Sequence, residues 1–529
     1  MIALVFTFSI PTATAVIADI QINETYTIAA DSNYTTYFGS TGAEDATKIA
    51  FDREGNTLLI GQSQSDDMPT TTGVIQETRS GGDEPFIAKF SPAGDLIFCT
   101  YLGGSSYEHI TSVNTDSDNN ILVSGHTQST NFPVSVDAYQ GAFGGGGDGF
   151  IAKISPDGSE LIYSTYFGGT SEEWIYGMEV DASDNYLFSG FTSSDGLATA
   201  GAYQTTRGGL QDAFVAKLSA NGASLNFLSY FGGSGGDRAW TMTVDGSYNF
   251  VISGVTQSSD LPGVAGSFQE TYGGGTDGYI AKISSSGASL IFASYYGGDD
   301  EDMGLGVDVD SEGNIILGGC VQSENIPTLN AMNTSYNGGA YDIFAAKFDS
   351  TGTAIFSTYL GGEQTDRSWD LRVDNNDDII LVGRSISSNY PTTVDAIQPE
   401  KRNNYDVVVT KIASDGQSII KSTFFGGRSE DIGEGIAVDG EGRVVISGRT
   451  SSSDLNITDG AYQPAKAGLA DVFVCHTAFD TPIGSINTEP TSTPTTSLTD
   501  IPLDPTVLLL AGVGAAAVII VILIVMKKK

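Results

Sequence analysis

The chain has 529 residues, with 64 acidic against 24 basic side chains and a net charge of −40. A balance this acidic excludes the basic patches that nucleic-acid binding requires, and it suits solubility in salt and attraction of cations. The three cysteines, Cys99, Cys320 and Cys475, are an odd count at unrelated repeat positions. They read as buried thiols in strands rather than as a disulfide framework.

In chain order, the apolar run Ile2–Ile10 is followed by Pro11 and a small-residue stretch ending at Ala18. Residues 1–18 therefore read as a secretory signal peptide, although the basic n-region is missing. Residues 19–33 are a short lead-in, and Tyr34–Phe38 is a lone strand-like run.

From there one phrase recurs: Tyr37-Phe38-Gly39-Ser40, Tyr101-Leu102-Gly103-Gly104, Tyr166-Phe167-Gly168-Gly169, Tyr230-Phe231-Gly232-Gly233, Tyr295-Tyr296-Gly297-Gly298, Tyr359-Leu360-Gly361-Gly362 and Phe424-Phe425-Gly426-Gly427. The steps between copies are 64, 65, 64, 65, 64 and 65 residues. A period this regular decides the architecture first.

One unit reads as four short strands. In the third, Trp174–Asp181 alternates and ends in Asp, Asp184-Asn185 turns, and Tyr186–Thr192 is a second run around Gly190. A long connection leads to Asp212–Lys217; Asn221-Gly222 turns again, and Leu225–Phe231 is the fourth run. Four runs bounded by Gly, Asn and Asp turns describe one antiparallel sheet. Other landmarks keep step. They are a strand-ending Asp (Asp52 to Asp439), a second-strand Gly (Gly61 to Gly448), and a third-strand aromatic replaced once, by Val408. One sheet per repeat arranged radially is a β-propeller blade. The N-terminal run is of the fourth type, and the last unit stops at a third-type run, Asp471–Thr477. The first run is expected to complete the last blade and remove the open edge. The fold class is all-β: a seven-bladed β-propeller over 34–479.

Beyond it, residues 480–505 are rich in Ser, Thr and Pro and read as an extended, O-glycosylatable stalk. Val507–Met526 is twenty residues without charge, enough for a membrane-crossing helix of about 30 Å over 506–526. Lys527, Lys528 and Lys529 set a cytoplasmic tail and place the propeller outside the cell membrane. Sequons at Asn23, Asn33, Asn333 and Asn456 would be open to glycosylation there.

The recurring Tyr-Phe-Gly-Gly, the carboxylate after it, Val-Asp-x-x-Gly-Asn, Gly-x-Thr-x-Ser, Ala-Tyr-Gln and Asp-x-Phe-Val-Ala-Lys resemble the β-propeller repeat of the SBBP family over roughly Tyr34 to Phe479. The resemblance implies a secreted or surface-attached propeller, a family generally without an assigned activity. Ser40, Phe424, Val408 and Arg443 depart from the pattern without threatening the fold.

Function is sought in what recurs around the axis. Seven residues after each opening aromatic stands a carboxylate: Glu44, Glu108, Glu173, Asp237, Asp302, Asp366 and Asp431. Either each caps its own loop by accepting backbone N–H bonds, or the seven ring the axis as a cation-attracting mouth. Oxygen ligands of that kind favour Ca²⁺ or Mg²⁺. Trp174, Trp240 and Trp369 lie close by, with Arg238 and Arg367 beside two of them. Indole and guanidinium suit a glycan or peptide ligand, or the indoles pack between blades. Asp52–Asn56 and Asp310–Asn314 are too short for an EF-hand and read as hairpin turns. The Gly144–Gly147 run precedes a strand, so it is no phosphate loop. The three histidines stand at unrelated positions, without zinc or nucleophile-elbow motifs. The expectation is a non-enzymatic, membrane-anchored surface propeller for adhesion or recognition of glycans, peptides or envelope proteins. The alternative is a polysaccharide hydrolase or lyase using carboxylates at the mouth. Oligomeric state is not legible.

Overall fold

The computed structural model describes residues 34–477. The segments expected as signal peptide (1–18), lead-in (19–33), stalk (480–505), membrane helix (506–526) and tail (527–529) lie outside the described residues, as do Asn23 and Asn33. Among the described residues no helix is long and apolar enough to cross a membrane.

The described chain forms 28 strands in seven four-stranded antiparallel sheets. The first blade runs from an inner strand, Glu44–Phe51, through Thr57–Ser63 and Glu84–Phe90 to an outer strand, Leu96–Tyr101. Its third strand is buried at every position, which explains the apolar Pro-Phe-Ile-Ala run there. Inner strands touch their neighbours around the ring, and the first contacts both the second and the seventh. Tyr34–Phe38 pairs antiparallel with Asp471–Thr477, Tyr37 opposite Phe473. It is the outer strand of the seventh blade, as its strand type suggests, and it covers the edge of Asp471–Thr477, giving that blade the same four strands as the others.

Each landmark has a local cause. The strand-ending Asp caps a hairpin: Asp52 Oδ1 accepts from the N–H groups of Glu54 and Asn56 at 2.8 and 2.9 Å. A third-strand lysine closes over it, Lys89 Nζ at 2.8 Å from Asp52 Oδ2, and five further blades repeat the pair. In the seventh, His476 stands where that lysine would be and Arg443 covers Asp439 instead. The phrase tyrosine pins the long second-to-third connection. Tyr166 Oη donates to Ser129 O at 2.7 Å and accepts from Phe132 N at 3.0 Å.

One feature has no sequence signature. In all seven blades the pairing of inner and second strands slips by one residue near its start. The extra residues are Thr47, Thr111, Tyr176, Trp240, Leu305, Trp369 and Glu434. A bulge of this kind bends the strand and re-aims a side chain. The second-strand glycine lies against it: a Cβ at Gly61 would stand 2.2 Å from the Asp45 carbonyl oxygen. The three cysteines are free and buried, as read from the sequence.

Candidate functional site: the axial cavity

The seven carboxylates begin the inner strands, at one end of the axis. They turn away from it. All are at most 1% exposed, and none lines the axial cavities. Asp237 is typical: it accepts from Gly233 N at 2.7 Å, Thr256 Oγ1 at 2.5 Å and Ser258 Oγ at 2.7 Å. Glu173 accepts from Gly169 N at 2.8 Å and Thr192 Oγ1 at 2.6 Å. The first glycine of each phrase passes between this carboxylate and the one that opens the preceding third strand. A Cβ at Gly297 would meet Asp302 Oδ2 at 2.8 Å and Asp277 Cγ at 2.9 Å. Loop capping is the arrangement found, and the side chains expected at the axis are not these. Among the described residues no group of three His, Cys, Asp or Glu is placed to hold a metal ion.

Burial holds several of these paired carboxyls above the usual carboxylate range. Burial, aided by Asp302, pushes Asp277 up to about 7, and burial with Asp366 does the same to Asp342. Burial raises Asp148, Asp366 and Asp431 to about 6, with Glu173 adding to the first and Asp406 to the last.

The axis is ringed three residues further on. All seven bulge residues, from Thr47 to Glu434, line one cavity of about 440 Å³. Asp45, Gln62, His109, Met303 and Arg367 complete its upper wall with Cys320. The bulge turns one side chain per blade towards the axis, and five residue types share the seven positions, so the ring is chemically uneven. Trp240, Trp369 and Arg367, expected as ligand-binding residues, stand in this wall. Arg238 flanks it, its Nε donating to Gln211 Oε1 at 2.6 Å. Trp174 does not line it; the indole stacks on His126 with centroids 4.1 Å apart and on Tyr176 at 5.5 Å. For Trp174 the packing reading holds.

Asp45, Gln62, His109, Tyr176 and Glu434 were not legible as site residues. Their common signal is position. They follow the ring carboxylate by one residue, follow the second-strand glycine by one, or occupy the bulge. Arg367 and Arg384 lie on aromatic faces. The Arg367 Cζ is 3.7 Å from the Tyr341 ring centre, and the Arg384 Cζ is 4.3 Å from that of Tyr405 and 5.0 Å from that of Trp369. Asp45 and Glu434 are both raised by burial, and Asp45 pushes Glu434 up further while Arg449 opposes it in both. This wall therefore holds two carboxyls that burial makes reluctant to ionise, Glu434 the more so.

Below the bulge ring the axis narrows. Lys48 Nζ reaches Asp370 Oδ2 at 2.9 Å, and Arg372 meets Asp370 Oδ1 at 3.0 Å. Lys48 spans the seventh blade to do so, where Gly433 and Gly435 leave room. Lys48 lines both the upper cavity and a lower one of about 210 Å³. In the lower one, burial pushes Glu179 up to about 7 against the pull of Arg372 and a 2.8 Å bond from Asn114 Nδ2.

Seven repeat-built blades around a chemically uneven axial cavity define a β-propeller repeat protein. The family model of the SBBP beta-propeller repeat matches residues 33–67, so the first unit is an SBBP repeat in a seven-bladed propeller. The chain is 24% identical over 413 residues to an uncharacterized WD repeat-containing protein, L264, of Acanthamoeba polyphaga mimivirus, covering 65% of this chain and 30% of that protein. It is 23% identical over 298 residues to the regulatory protein FlaEY of Caulobacter vibrioides, covering 52% and 29%. The chain thus spans about three tenths of the length of these relatives. Among solved structures, a protein of unknown function from Dyadobacter fermentans aligns at 10% identity over 84% of this chain and 97% of its own, with a TM-score of 0.35. The mitotic checkpoint complex aligns at 8% identity over 90% and 98%, with a TM-score of 0.42.

Proposed function

We propose that this protein is a non-enzymatic recognition propeller that binds its partner at the mouth of the axial cavity. The carrying observation is the division of labour among residues. Those that repeat seven times are used in caps, pins and turns, whereas the bulge residues differ from blade to blade and converge on one cavity. Closed propellers serve as rigid platforms, and the likeness to a WD repeat-containing protein is in keeping with an interaction scaffold. The uncharged segment 506–526 and the lysines after it support a cell-surface setting, with the propeller outside and the partner a surface glycan, peptide or envelope protein.

The test uses the full chain on a glycan array and against solubilised envelope proteins, beside Trp369→Ala and Arg367→Gln. Binding lost in both variants at unchanged melting supports the reading; binding unaffected by either refutes it. A second reading, cleavage of a polysaccharide, is favoured by the Asp45–Glu434 carboxyl pair in the cavity wall, both raised by burial and Glu434 well above the usual carboxylate range. Turnover of a surface polysaccharide that disappears in Glu434→Gln would replace the first reading with this one.

A further inference from the structure

The cavity wall is chemically divided, and the division specifies a ligand. On the sixth blade, Arg367 lines the wall and forms no ion pair among the described residues, and Arg384 is its cross-strand partner. Arg384 has only Glu430, at 3.6 Å. Both guanidinium planes are covered by Tyr341, Tyr405 and Trp369. Their Nε atoms are buried without a hydrogen-bond partner. A stacked guanidinium presents its edge, and an edge of N–H donors matches a carboxylate.

The rest of the wall asks for something other than charge. Asp45 Oδ1, both amide atoms of Gln62, His109 Nδ1 and Glu434 Oε2 are buried without protein partners. Such lone donors and acceptors are costly unless a ligand or water engages them. Together they suit a polyol, which offers both O–H donors and oxygen acceptors around a ring. Trp240 and Trp369 add flat apolar faces of the kind that a sugar ring covers. About 440 Å³ is within the range of small-ligand sites and holds one or two sugar units.

We infer that the axial cavity binds an acidic sugar, a uronate unit of a surface polysaccharide, with its carboxylate on the edges of Arg367 and Arg384. The ring packs on Trp369, and the hydroxyls engage Asp45, Gln62 and His109. This rests on the recognition reading and deepens it. The net charge of −40 opposes an anion at long range. Charges beyond a Debye length of about 8 Å are largely screened at physiological salt, so the desolvated arginine edges outweigh the distant carboxylates.

The test is a titration of the full chain with glucuronate-containing oligosaccharides, the matching glucose oligosaccharides and the uronate methyl esters. Tryptophan fluorescence and calorimetry read it. The acidic saccharide is expected to bind roughly tenfold tighter or more than its neutral match. The ester should fall to the neutral level, which tests the carboxylate without altering the protein. Arg367→Gln and Arg384→Gln should each shrink the gap with the melting midpoint kept. Neutral and acidic saccharides bound alike overturns the inference and leaves axial recognition standing. An acidic peptide bound in place of the uronate does the same. A saccharide whose binding ignores both arginine variants and Trp369→Ala overturns the recognition reading as well.

Discussion

A Cβ at Gly190 would stand 1.8 Å from the Trp174 carbonyl oxygen, a backbone atom that cannot swing aside. Gly190→Ala should therefore cost about 3 kcal/mol, the upper part of the range for overpacking a core. Gly196, at φ +79° with nothing within 4 Å, should lose only about 1–2 kcal/mol as Ala, from backbone strain alone. Denaturant unfolding of the two variants checks the contrast. The capping carboxylates make a second prediction. Removing Asp237 strands the Gly233 N–H and the Thr256 and Ser258 hydroxyls, so Asp237→Ala should lower stability by about 3 kcal/mol, and millimolar calcium should not change that loss. A loss that appears only with calcium present would restore the cation ring. Residues of this kind were legible because each recurs in phase with a single period. The exception, Phe424, is readable too: it lacks the hydroxyl by which Tyr166 or Tyr230 pins its loop. The axial residues were not legible, because a bulge is a matter of register and carries no residue type of its own. Thr, Tyr, Trp, Leu and Glu all occupy it.

At the scale of the element, closure of the ring rests on five residues. Tyr34–Phe38 supplies the outer strand of the seventh blade, and Tyr37 Oη ties it to the long connection through Ser452 O and Leu455 N, both at 3.0 Å. Deleting residues 34–38 exposes the edge of Asp471–Thr477, a row of unpaired backbone groups ready to pair with another chain. The expected outcome is association, visible as a shift in mass by light scattering, together with a lower melting midpoint. An unchanged monomer would mean that the edge is protected some other way. This closure was legible from strand type alone, since the unmatched fourth-type run at one end answered a missing one at the other. The blade-to-blade fit of the inner strands was not. It depends on which side chains the bulges present, as with Lys48 reaching Asp370 across two glycines of the seventh blade.

At the scale of the molecule, charge and burial set the pH response. Asp277 and Asp342 at about 7, and Asp148, Asp366 and Asp431 at about 6, hold protons in the fold that the unfolded chain gives up near the usual carboxylate range. For a raised acid, the folded state binds the extra proton between those two values. Its contribution is full below the unfolded value and is lost as pH rises through about 6 to 7. The hairpin aspartates run the other way. Asp181, held at about 2 by Lys217 and Asn185 against its burial, loses its contribution only as pH falls towards 2. His109 and His476, kept neutral by burial at about 4, lose theirs as pH falls from the ordinary imidazole range through about 4. The melting midpoint should accordingly be higher near pH 5 than at pH 8. A midpoint that climbs steadily to pH 8 would contradict the proton-holding pairs.

On the proposed function, recognition resides in the side chains that differ between blades and meet at the axis, not in the outer loops. Those loops carry exposed apolar residues of their own, Leu210 at 80% and Leu469 at 77%, so they are the natural rival surface. The most direct measurement compares glycan-array and envelope-protein binding by the full chain, by Arg367→Gln/Trp369→Ala, and by Leu210→Ser/Leu469→Ser. Binding should be abolished by the axial pair and kept by the loop pair. Binding kept by the axial pair and abolished by the loop pair would contradict the proposed function.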